Sequence, residues 1–422
     1  MKSIGPTVFS AVIGVQSEEV ASLVETRVAL LRLPHVNLHA LGRLDDRVLA
    51  HFDGLATAGV RGQERLDASV DSPSRGAAFT LAVHTIEGSR LEALERLWAI
   101  AADTPPTVDG LLDAFGWVKR RQLQGVVRDL LRHADPVRRA AGLTACAMHR
   151  TDPGLGSGAW LADPAPAVRS RALRAVGELG LADLTPRCLA AMGDDDAECR
   201  FWAAWSAVLL GNRGVALDAL RHLAVEPDAP HRERSFRLAM QAMDATSAHA
   251  TLKELVSDPA QLGGLMQGSG IAGDPSYVSW LIGHMSKPET ARLAGEAFTL
   301  VTGADLDALQ LWRPQPDDVE SGPNDDPDDT NVDLDADEGL MWPDPQKVEQ
   351  WWAANAGRFQ KGQRYFMGAP VTWEHCLDVL THGYQRQRIL AAHYLCLLSP
   401  GTPLFNTSAP AWRQQRLLAT MT

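Results

Sequence analysis

The feature that most constrains how this chain folds is an internal repeat. Three segments share an order of turn, charged residue and apolar stretch: 133–143, 163–180 and 194–211. The arginine common to them recurs at an interval of 31 residues, at Arg138, Arg169 and Arg200. A period of this length is typical of stacked supersecondary units, because each unit buries its apolar face only against its neighbours.

Each repeat begins with a turn rich in aspartate or proline, which caps a helix or suits its first turn. In the second repeat, apolar residues such as Val168 and Val176 then follow at helical spacing. Gly180 and Gly211 close the second and third repeats, where a left-handed residue favours glycine. A second short helix is expected between repeats, for example over 184–192. The pattern therefore predicts an α-solenoid of stacked antiparallel helix pairs.

The segments before the repeats are also predicted to be helical. Apolar residues step by three or four positions along one face of the first stripe, formed by Leu41, Leu44, Val48, Phe52 and Leu55. A second stripe consists of Leu91, Leu94, Trp98 and Ala101. Alternating strand patterns bounded by Asn-Gly or Asp-Gly turns are missing. The whole chain is therefore predicted to be all-α.

Acidic residues are concentrated in one segment of the 422-residue chain. Eleven Asp and Glu residues and no basic residue lie between Asp317 and Glu338, and without them the net charge of −12 becomes −1. Such a composition cannot bury enough apolar surface to form a core, so the segment is predicted to be a solvated loop. The acidic balance argues against nucleic acid or an anionic membrane surface as the partner.

These shifts in composition divide the chain into four predicted regions. They are a helical N-terminal region over 1–130, the helical repeats over 131–312, an acidic loop over 313–343 and a C-terminal helical region over 344–422. No apolar run approaches the roughly 18 residues of a membrane helix. The N-terminus lacks the features of a signal peptide, and the five dispersed cysteines fit a reducing compartment. A cytoplasmic location is expected.

Two resemblances follow from these residues. The core Asp-Pro-x-Val-Arg-x-x-Ala and its period resemble HEAT-like repeats, similar to those of bacterial scaffold and phycobilin-lyase-like proteins. Most of the chain also resembles an uncharacterised bacterial HEAT-repeat family associated with type VI secretion gene clusters. The segments that carry this second resemblance are 43–47, the stretch ending at Arg150, 199–205, 322–327, 340–345, 383–388 and 412–416. It implies a part in effector loading, sheltering or assembly, and implies no catalytic residues.

Candidate partner-binding residues come from the acidic loop and the helix after it. Dense carboxylates steer positively charged surfaces, so Asp325, Asp326, Asp328 and Asp329 are predicted to dock a basic partner. Trp351 and Trp352 are adjacent on one helix and cannot both face one core stripe, so one of them is a candidate anchor.

Two further groups of residues leave alternatives open. Asp333, Asp335 and Asp337 alternate as in a calcium loop, but Gly339 and Asp344 do not match the positions that such a loop requires. The repeat arginines are expected to pair with aspartates of the same or the next turn. An anion-binding ridge is the alternative.

Phosphate-binding, zinc-protease and nucleophile-elbow motifs are missing. The sequence therefore predicts no catalytic residue, no metal ligand and no cofactor. It favours a non-enzymatic scaffold that binds another protein, as an adaptor, chaperone or assembly factor for type VI secretion cargo. The alternatives are an immunity protein against a secreted toxin, or a HEAT-like enzyme of the DNA glycosylase or bilin lyase type.

Overall fold

The computed structural model describes residues 10–69, 73–88, 90, 92–226, 228–256, 258–316, 319 and 337–421. Within these residues the chain forms 21 α-helices, seven short 3-10 helices and one two-stranded hairpin. The all-α prediction is confirmed. The 3-10 helices are Arg120–Leu123, Leu155–Ser157, Trp160–Ala162, Ala182–Leu184, Pro259–Gln261, Pro275–Tyr277 and Ala356–Arg358.

The chain divides into two compact units, each discontinuous in sequence. Unit 1 consists of Met1–Arg32, Val36–Leu179 and Asn406–Thr422, and unit 2 of Leu33–His35 and Gly180–Phe405. The units group residues by contact rather than along the chain. The four sequence regions therefore stay a prediction.

Unit 1 is built from ten α-helices within the described residues. They are α1 (Ser10–Leu30), α2 (Leu38–Thr57), α3 (Val60–Ser69), α4 (Arg75–Glu87), α5 (Glu92–Ala101), α6 (Pro105–Trp117), α7 (Gln124–Leu131), α8 (Pro136–Met148), α9 (Pro166–Glu178) and α21 (Ala411–Leu418). Packed pairs include α1 with α2 and α4, α4 with α6, α7 with α8, and α8 with α9. The consecutive helices α7, α8 and α9 pack as neighbours, as the repeat predicts, whereas α4 packs on α1 and α6, which are not adjacent to it in sequence.

The core of unit 1 confirms the two amphipathic stripes. All five predicted residues of the first stripe are buried on α2, and Leu94, Trp98 and Ala101 of the second stripe are buried on α5. Leu91, the other residue of the second stripe, lies outside the described residues. The rings of Phe79 and Trp117 meet edge to face, with centroids 5.6 Å apart. This core fixes α4, α5 and α6 against α1 and α2.

The C-terminal segment joins unit 1 through polar contacts that carry no sequence period. The Arg27 guanidinium donates to the carbonyls of Ser408 (3.2 Å) and Ala409 (3.0 Å) and forms an ion pair with Asp45 at 2.7 Å. A carboxylate oxygen of Asp45 in turn accepts from the backbone N–H of Ala411 at 2.7 Å. These contacts hold the start of α21 beside α2.

Unit 2 contains eleven α-helices and the hairpin within the described residues. They are α10 (Thr185–Ala191), α11 (Ala197–Leu209), α12 (Val215–Val225), α13 (Arg232–Ala242), α14 (Ala245–Leu255), α15 (Leu262–Ala272), α16 (Val278–His284), α17 (Pro288–Thr302), α18 (Pro345–Asn355), α19 (Trp373–His382) and α20 (Gln385–Leu398), with β1 (Tyr365–Phe366) and β2 (Ala369–Pro370). Consecutive helices α10 to α13 pack pairwise, as do α16 with α17 and α19 with α20.

The hairpin is the one element that the strand patterns missed. Its strands are two residues long, too short for a detectable alternation, and its turn uses Met367 and Gly368 with positive φ. The turn is fixed from outside, because the N–H of Gly368 donates to the Val301 carbonyl at 3.2 Å. The hairpin therefore depends on α17.

The predicted helix ends are confirmed in the repeats. The side chains of Asp135 and Asp196 accept hydrogen bonds from the first turns of α8 and α11. Gly180 (φ 69°) and Gly211 (φ 100°) adopt the left-handed conformation. A Cβ on Gly180 would lie 2.3 Å from the carbonyl oxygen of Gly401, so the close approach also requires glycine.

Candidate functional site

The repeat arginines donate hydrogen bonds to the turns that precede their helices. Arg169 donates to the carbonyls of Asp163 (3.0 Å) and Pro164 (3.2 Å), and Arg200 donates to those of Asp194 (2.8 Å) and Asp195 (2.9 Å). Each arginine is the fourth residue of its helix. It therefore holds the turn closed against the helix that follows.

In the first repeat the equivalent residue is Arg139, and the alignment on Arg138 was wrong by one position. Arg139 donates to the carbonyls of His133 (3.0 Å) and Ala134 (2.6 Å). It also pairs with both carboxylate oxygens of Asp163 in the next repeat, at 3.1 and 3.2 Å. This bidentate contact agrees with the expected link between neighbouring repeats.

Arg138 instead faces the helices before the repeats. It pairs with Glu95 at 2.7 Å and lies 5.4 Å from the centroid of the Trp98 ring. The helices α8 and α9 begin at Pro136 and Pro166, so the first structural interval is 30 residues, one fewer than the spacing from Arg138 to Arg169. The turns are equally long, because each arginine donates to the carbonyls five and six residues before it.

An aromatic cluster fills the repeat that begins at Asp194. Trp202 and Trp205 on α11 meet edge to face at 5.3 Å, and the His231 ring stacks on Phe201 at 4.2 Å. Glu198 accepts hydrogen bonds from the Trp202 indole (2.9 Å) and lies 2.6 Å from the His231 ring nitrogen. The tryptophans are buried, so they pack between helices as core residues.

Trp351 and Trp352 on α18 both pack within unit 2. The Trp351 ring meets Phe298 edge to face at 5.7 Å, and the Trp352 ring lies 5.4 Å from Phe359. Both side chains are half-buried at the edge of a core cluster. Their predicted role as an anchor for a partner stays a prediction.

The predicted docking carboxylates Asp325, Asp326, Asp328 and Asp329 lie outside the described residues, as do Asp333 and Asp335 of the calcium alternative. The end of the acidic segment is described. The carboxylate of Asp337 is 3.7 Å from Arg386, and its carbonyl accepts from Arg292 at 3.2 Å. Arg386 also pairs with Glu296 at 2.8 Å. Asp337 is therefore connected through Arg386 to α17.

A pocket in unit 1, which we call the basic pocket, was not predicted. It has a volume of about 660 Å³ and lies between α7, α8 and the segment that follows α8. Its lining combines apolar groups with arginines: Arg120, Leu123, Gln124, Val127, Arg128, Leu131, Arg132, Ala145, Cys146, His149, Thr151 and Trp160. None of these residues is acidic.

His149 is held neutral at the back of the basic pocket. Burial and the charges of Arg413 and Arg120 lower its pKa to about 4. One ring nitrogen lies 2.7 Å from the Phe115 carbonyl at the end of α6, and it donates because a carbonyl can only accept. The positive charge of the basic pocket therefore comes from its arginines and persists across the neutral pH range.

The sequence contained a signal for this pocket. Residues 119–132 hold five basic residues, Lys119, Arg120, Arg121, Arg128 and Arg132, against the single acid Asp129, in a chain of net charge −12. The run indicates a local basic surface. Only the fold places Trp160 and His149 beside it.

A pocket of about 650 Å³ in unit 2 has mixed charge. Asp218 and Asp244 line it together with Arg213, Arg221 and Arg364. Arg221 pairs with Glu254 at 3.0 Å, and Arg364 donates to backbone carbonyls at the ends of α13 and α15. Since protein groups already occupy these two arginines, the unit 2 pocket offers less charge to a ligand than the basic pocket.

The histidine, cysteine and acidic side chains of the described residues are dispersed or buried. Among the described residues, no group of three or more His, Cys, Asp or Glu side chains could hold a metal ion. All five cysteines are buried and unpaired by disulfides. Burial raises the pKa of Cys146 to about 11 and that of Cys188 to about 12, so these two remain protonated thiols at neutral pH.

Comparison with known families gives one match, which covers part of the repeats. Residues 158–241 match the family model of HEAT repeats, a range that runs from before α9 to the end of α13. These residues are therefore similar to HEAT repeats. HEAT repeats commonly mediate protein–protein interaction. Neither the curated proteins nor the solved structures give a match. Over the described residues, no helix is both long and apolar enough to cross a bilayer.

Proposed function

We propose that this protein is a non-enzymatic scaffold that binds another protein. The observation that carries the proposal is the match of residues 158–241 to HEAT repeats, together with the paired packing of α8 to α13 within the two units. Stacked helix pairs present extended faces built from successive repeats, and such faces suit protein partners.

We further propose that the partner is a type VI secretion effector or a component of that apparatus, met in the cytoplasm. The support is the resemblance of segments along the chain to the bacterial family associated with these gene clusters. The role would be that of an adaptor, chaperone or assembly factor.

The acidic segment is the proposed docking element for a basic partner. Eleven acids between Asp317 and Glu338 outweigh the charge of the rest of the chain, and carboxylates at this density attract positive surfaces over a Debye length of about 8 Å. Trp351 and Trp352 on α18 follow this segment directly and are half-buried, so they can add apolar contact area.

The decisive experiment is capture of the partner with the tagged full-length protein from its host, followed by reconstitution of the pair from purified components. A single stoichiometric protein that rebinds in purified form supports the scaffold. If that protein is neither secreted by nor part of a type VI apparatus, the secretion role is overturned and the scaffold remains. A captured toxin that this protein neutralises would instead identify an immunity protein.

The docking element is tested on the reconstituted pair. Replacing Asp325, Asp326, Asp328 and Asp329 by Asn should weaken binding at low salt by on the order of tenfold, and wild-type binding should itself weaken as salt rises. Asp183→Asn combined with Asp195→Asn, two acids outside this segment, is the control. Unchanged affinity in the quadruple variant would remove the docking role.

A further inference from the structure

The basic pocket of unit 1 has the chemistry of a site for an acidic ligand with apolar character. Three arginines line it, no acidic residue does, and its floor includes Val127 and Leu131. Its volume of about 660 Å³ lies within the range of roughly 300–1,000 Å³ that is typical of ligand pockets.

The arginines of the basic pocket keep their charge available. Within the described part of the chain, the side chains of Arg120 and Arg132 form no ion pair. Arg128 lies 3.5 Å from Asp129, but both side chains are largely exposed, at 64% and 72%, so this contact is weak. The pocket therefore presents three cationic forks that can each take a carboxylate in bidentate geometry.

The apolar floor determines what else the ligand must carry. Val127 and Leu131 are half-buried, and Ala145 and Cys146 are buried behind them. Trp160 is half-buried and is fixed by its indole N–H, which donates to the Pro153 carbonyl at 3.3 Å. A purely ionic ligand would leave this surface wet, whereas a large apolar side chain would remove it from water at about 25 cal/mol per Å².

We propose that the basic pocket binds an acidic peptide segment of a partner protein that carries at least one large apolar side chain. A protein segment supplies a few carboxylates and an apolar group at spacings that match three arginines around one floor. Nucleic acid fits less well, because its dense phosphates would also meet the net charge of −12 and would leave the apolar floor uncovered. This inference rests on the proposed function and assigns one of its surfaces a ligand.

The test uses the full-length protein and three fluorescein-labelled twelve-residue peptides in fluorescence polarisation. One peptide contains Glu, Leu and Phe, the second contains Glu and Ser at the same charge, and the third contains Lys and Leu. The first peptide alone should bind well, and its affinity should fall several-fold between 50 and 300 mM salt as roughly three ion pairs are screened. Equal binding of the Glu/Ser peptide would overturn the role of the floor.

The variants separate the pocket from the basic stretch around it. Arg128→Glu with Arg132→Glu should weaken the first peptide by on the order of tenfold or more. Arg121→Glu alters an exposed residue of the same stretch that does not line the pocket and should change affinity less than about twofold. Val127→Glu places a carboxylate in the floor and should also abolish binding. Circular dichroism melts confirm that each variant is folded.

Other ligand classes are measured in the same assay. Single-stranded RNA and phosphatidylserine vesicles should not bind in a way that depends on Arg128 and Arg132. If either one does while the Glu/Leu/Phe peptide does not, the peptide proposal is wrong. Peptide binding without any captured host partner would keep the pocket and remove the scaffold function. A captured partner whose binding is insensitive to the pocket variants would support the scaffold function and remove the proposed role of the basic pocket.

Discussion

At the scale of single residues, the repeat arginines show how one side chain can join a turn, its helix and the next repeat. Arg139 satisfies two turn carbonyls and both oxygens of Asp163, with side-chain exposures of 16% and 11%. Charge-assisted bonds with this degree of burial are stronger than surface ion pairs. The contact between Arg139 and Asp163 therefore contributes more to the stability of the fold than an exposed ion pair would.

We predict that Arg139→Ala lowers the free energy of unfolding by about 2–3 kcal/mol, because two carbonyls lose their donor and the half-buried Asp163 carboxylate loses its cation and keeps the Ala165 N–H at 2.9 Å. The measurement is urea unfolding followed by circular dichroism. Arg128→Ala, at a side chain 64% exposed, is the control and should cost less than about 0.5 kcal/mol. Equal small losses in both variants would contradict the bridging role.

A buried ion cluster in α9 gives a second residue-scale expectation. Glu178 pairs with Arg171 at 2.8 Å and with Arg174 at 2.9 Å. Burial alone would raise the pKa of Glu178, but the charges of Arg171 and Arg174 outweigh it and hold the pKa well below its usual range. We predict that Glu178→Gln costs about 3–5 kcal/mol, since it leaves Arg171 as a buried charge. Glu226→Gln, at an exposed carboxylate, is the matched control in the same thermal melts.

His393 on α20 makes unit 2 sensitive to acid. Its ring donates to Gln241 at 3.0 Å, because the Gln241 amide nitrogen already donates to the Leu390 carbonyl. Burial and the charges of Arg237 and Arg234 lower the pKa of His393 to about 3. The unfolded chain takes up this proton near pH 6.5, so stability is complete above that pH and is lost as the pH falls toward 3.

We predict that between pH 7 and pH 5 the wild-type protein loses about 1–2 kcal/mol more stability than His393→Gln does, because only the wild-type unfolded state gains this proton. The readout is the difference between unfolding free energies at the two pH values, so a constant cost of the substitution does not matter. His382→Gln, at a side chain 74% exposed, should keep the wild-type difference. A His393→Gln slope equal to that of the wild type would disprove the assignment.

At the scale of elements, the structure requires glycine for two separable reasons, at the end of α9 (Gly180) and in the connection after α8 (Gly154). Gly180 and Gly154 both have positive φ, 69° and 88°. A Cβ on Gly180 would meet the Gly401 carbonyl oxygen at 2.3 Å, whereas a Cβ on Gly154 would meet nothing within 4 Å. The two positions therefore differ in packing but share the conformational demand.

We predict that Gly154→Ala lowers stability by about 1 kcal/mol, the cost of a left-handed alanine. Gly180→Ala should cost at least about 2 kcal/mol more, because the backbone around Gly401 must also move. Urea unfolding of the two variants side by side measures the difference. Similar losses of stability in the two variants would mean that the close contact between Gly180 and the Gly401 carbonyl does not restrict the residue type at position 180.

At the scale of the whole molecule, charge and stability are located in different parts of the chain. The backbone on either side of the acidic segment is joined, since the Arg313 N–H donates to the Trp342 carbonyl at 2.9 Å and the Asp344 N–H donates to the Leu311 carbonyl at 2.8 Å. Nine of the acids fall within 317–336. The flanking contacts therefore do not require the charges between them.

We predict that replacing 317–336 by a short Gly-Ser linker changes the melting temperature by less than about 2 °C. The net charge should fall in magnitude from −12 to −3, and the protein should elute earlier from an anion-exchange column. Binding of a basic partner should be lost in the same variant. A fall in the melting temperature of more than about 5 °C would show that the segment contributes to the fold.

The sequence by itself determined the helical class, the repeats and their caps. These features are local: an apolar period, an aspartate before a helix and a glycine after it act within a few residues, so Gly180, Gly211 and the stripe on α2 could be predicted correctly. The arginine repeat was also predicted from the sequence. The pattern selected Arg138 where the structure has Arg139, because this choice depends on where the preceding turn closes.

Only the tertiary structure decided which distant residues meet. Arg27 reaches the carbonyls of Ser408 and Ala409 across the length of the chain, and Trp160 joins the arginines of α7 around the basic pocket. Such contacts leave no period in the sequence, because they depend on how helices pack rather than on the spacing within one helix. The sequence therefore predicted a repeat protein, and the fold located the basic pocket to which we assign an acidic peptide.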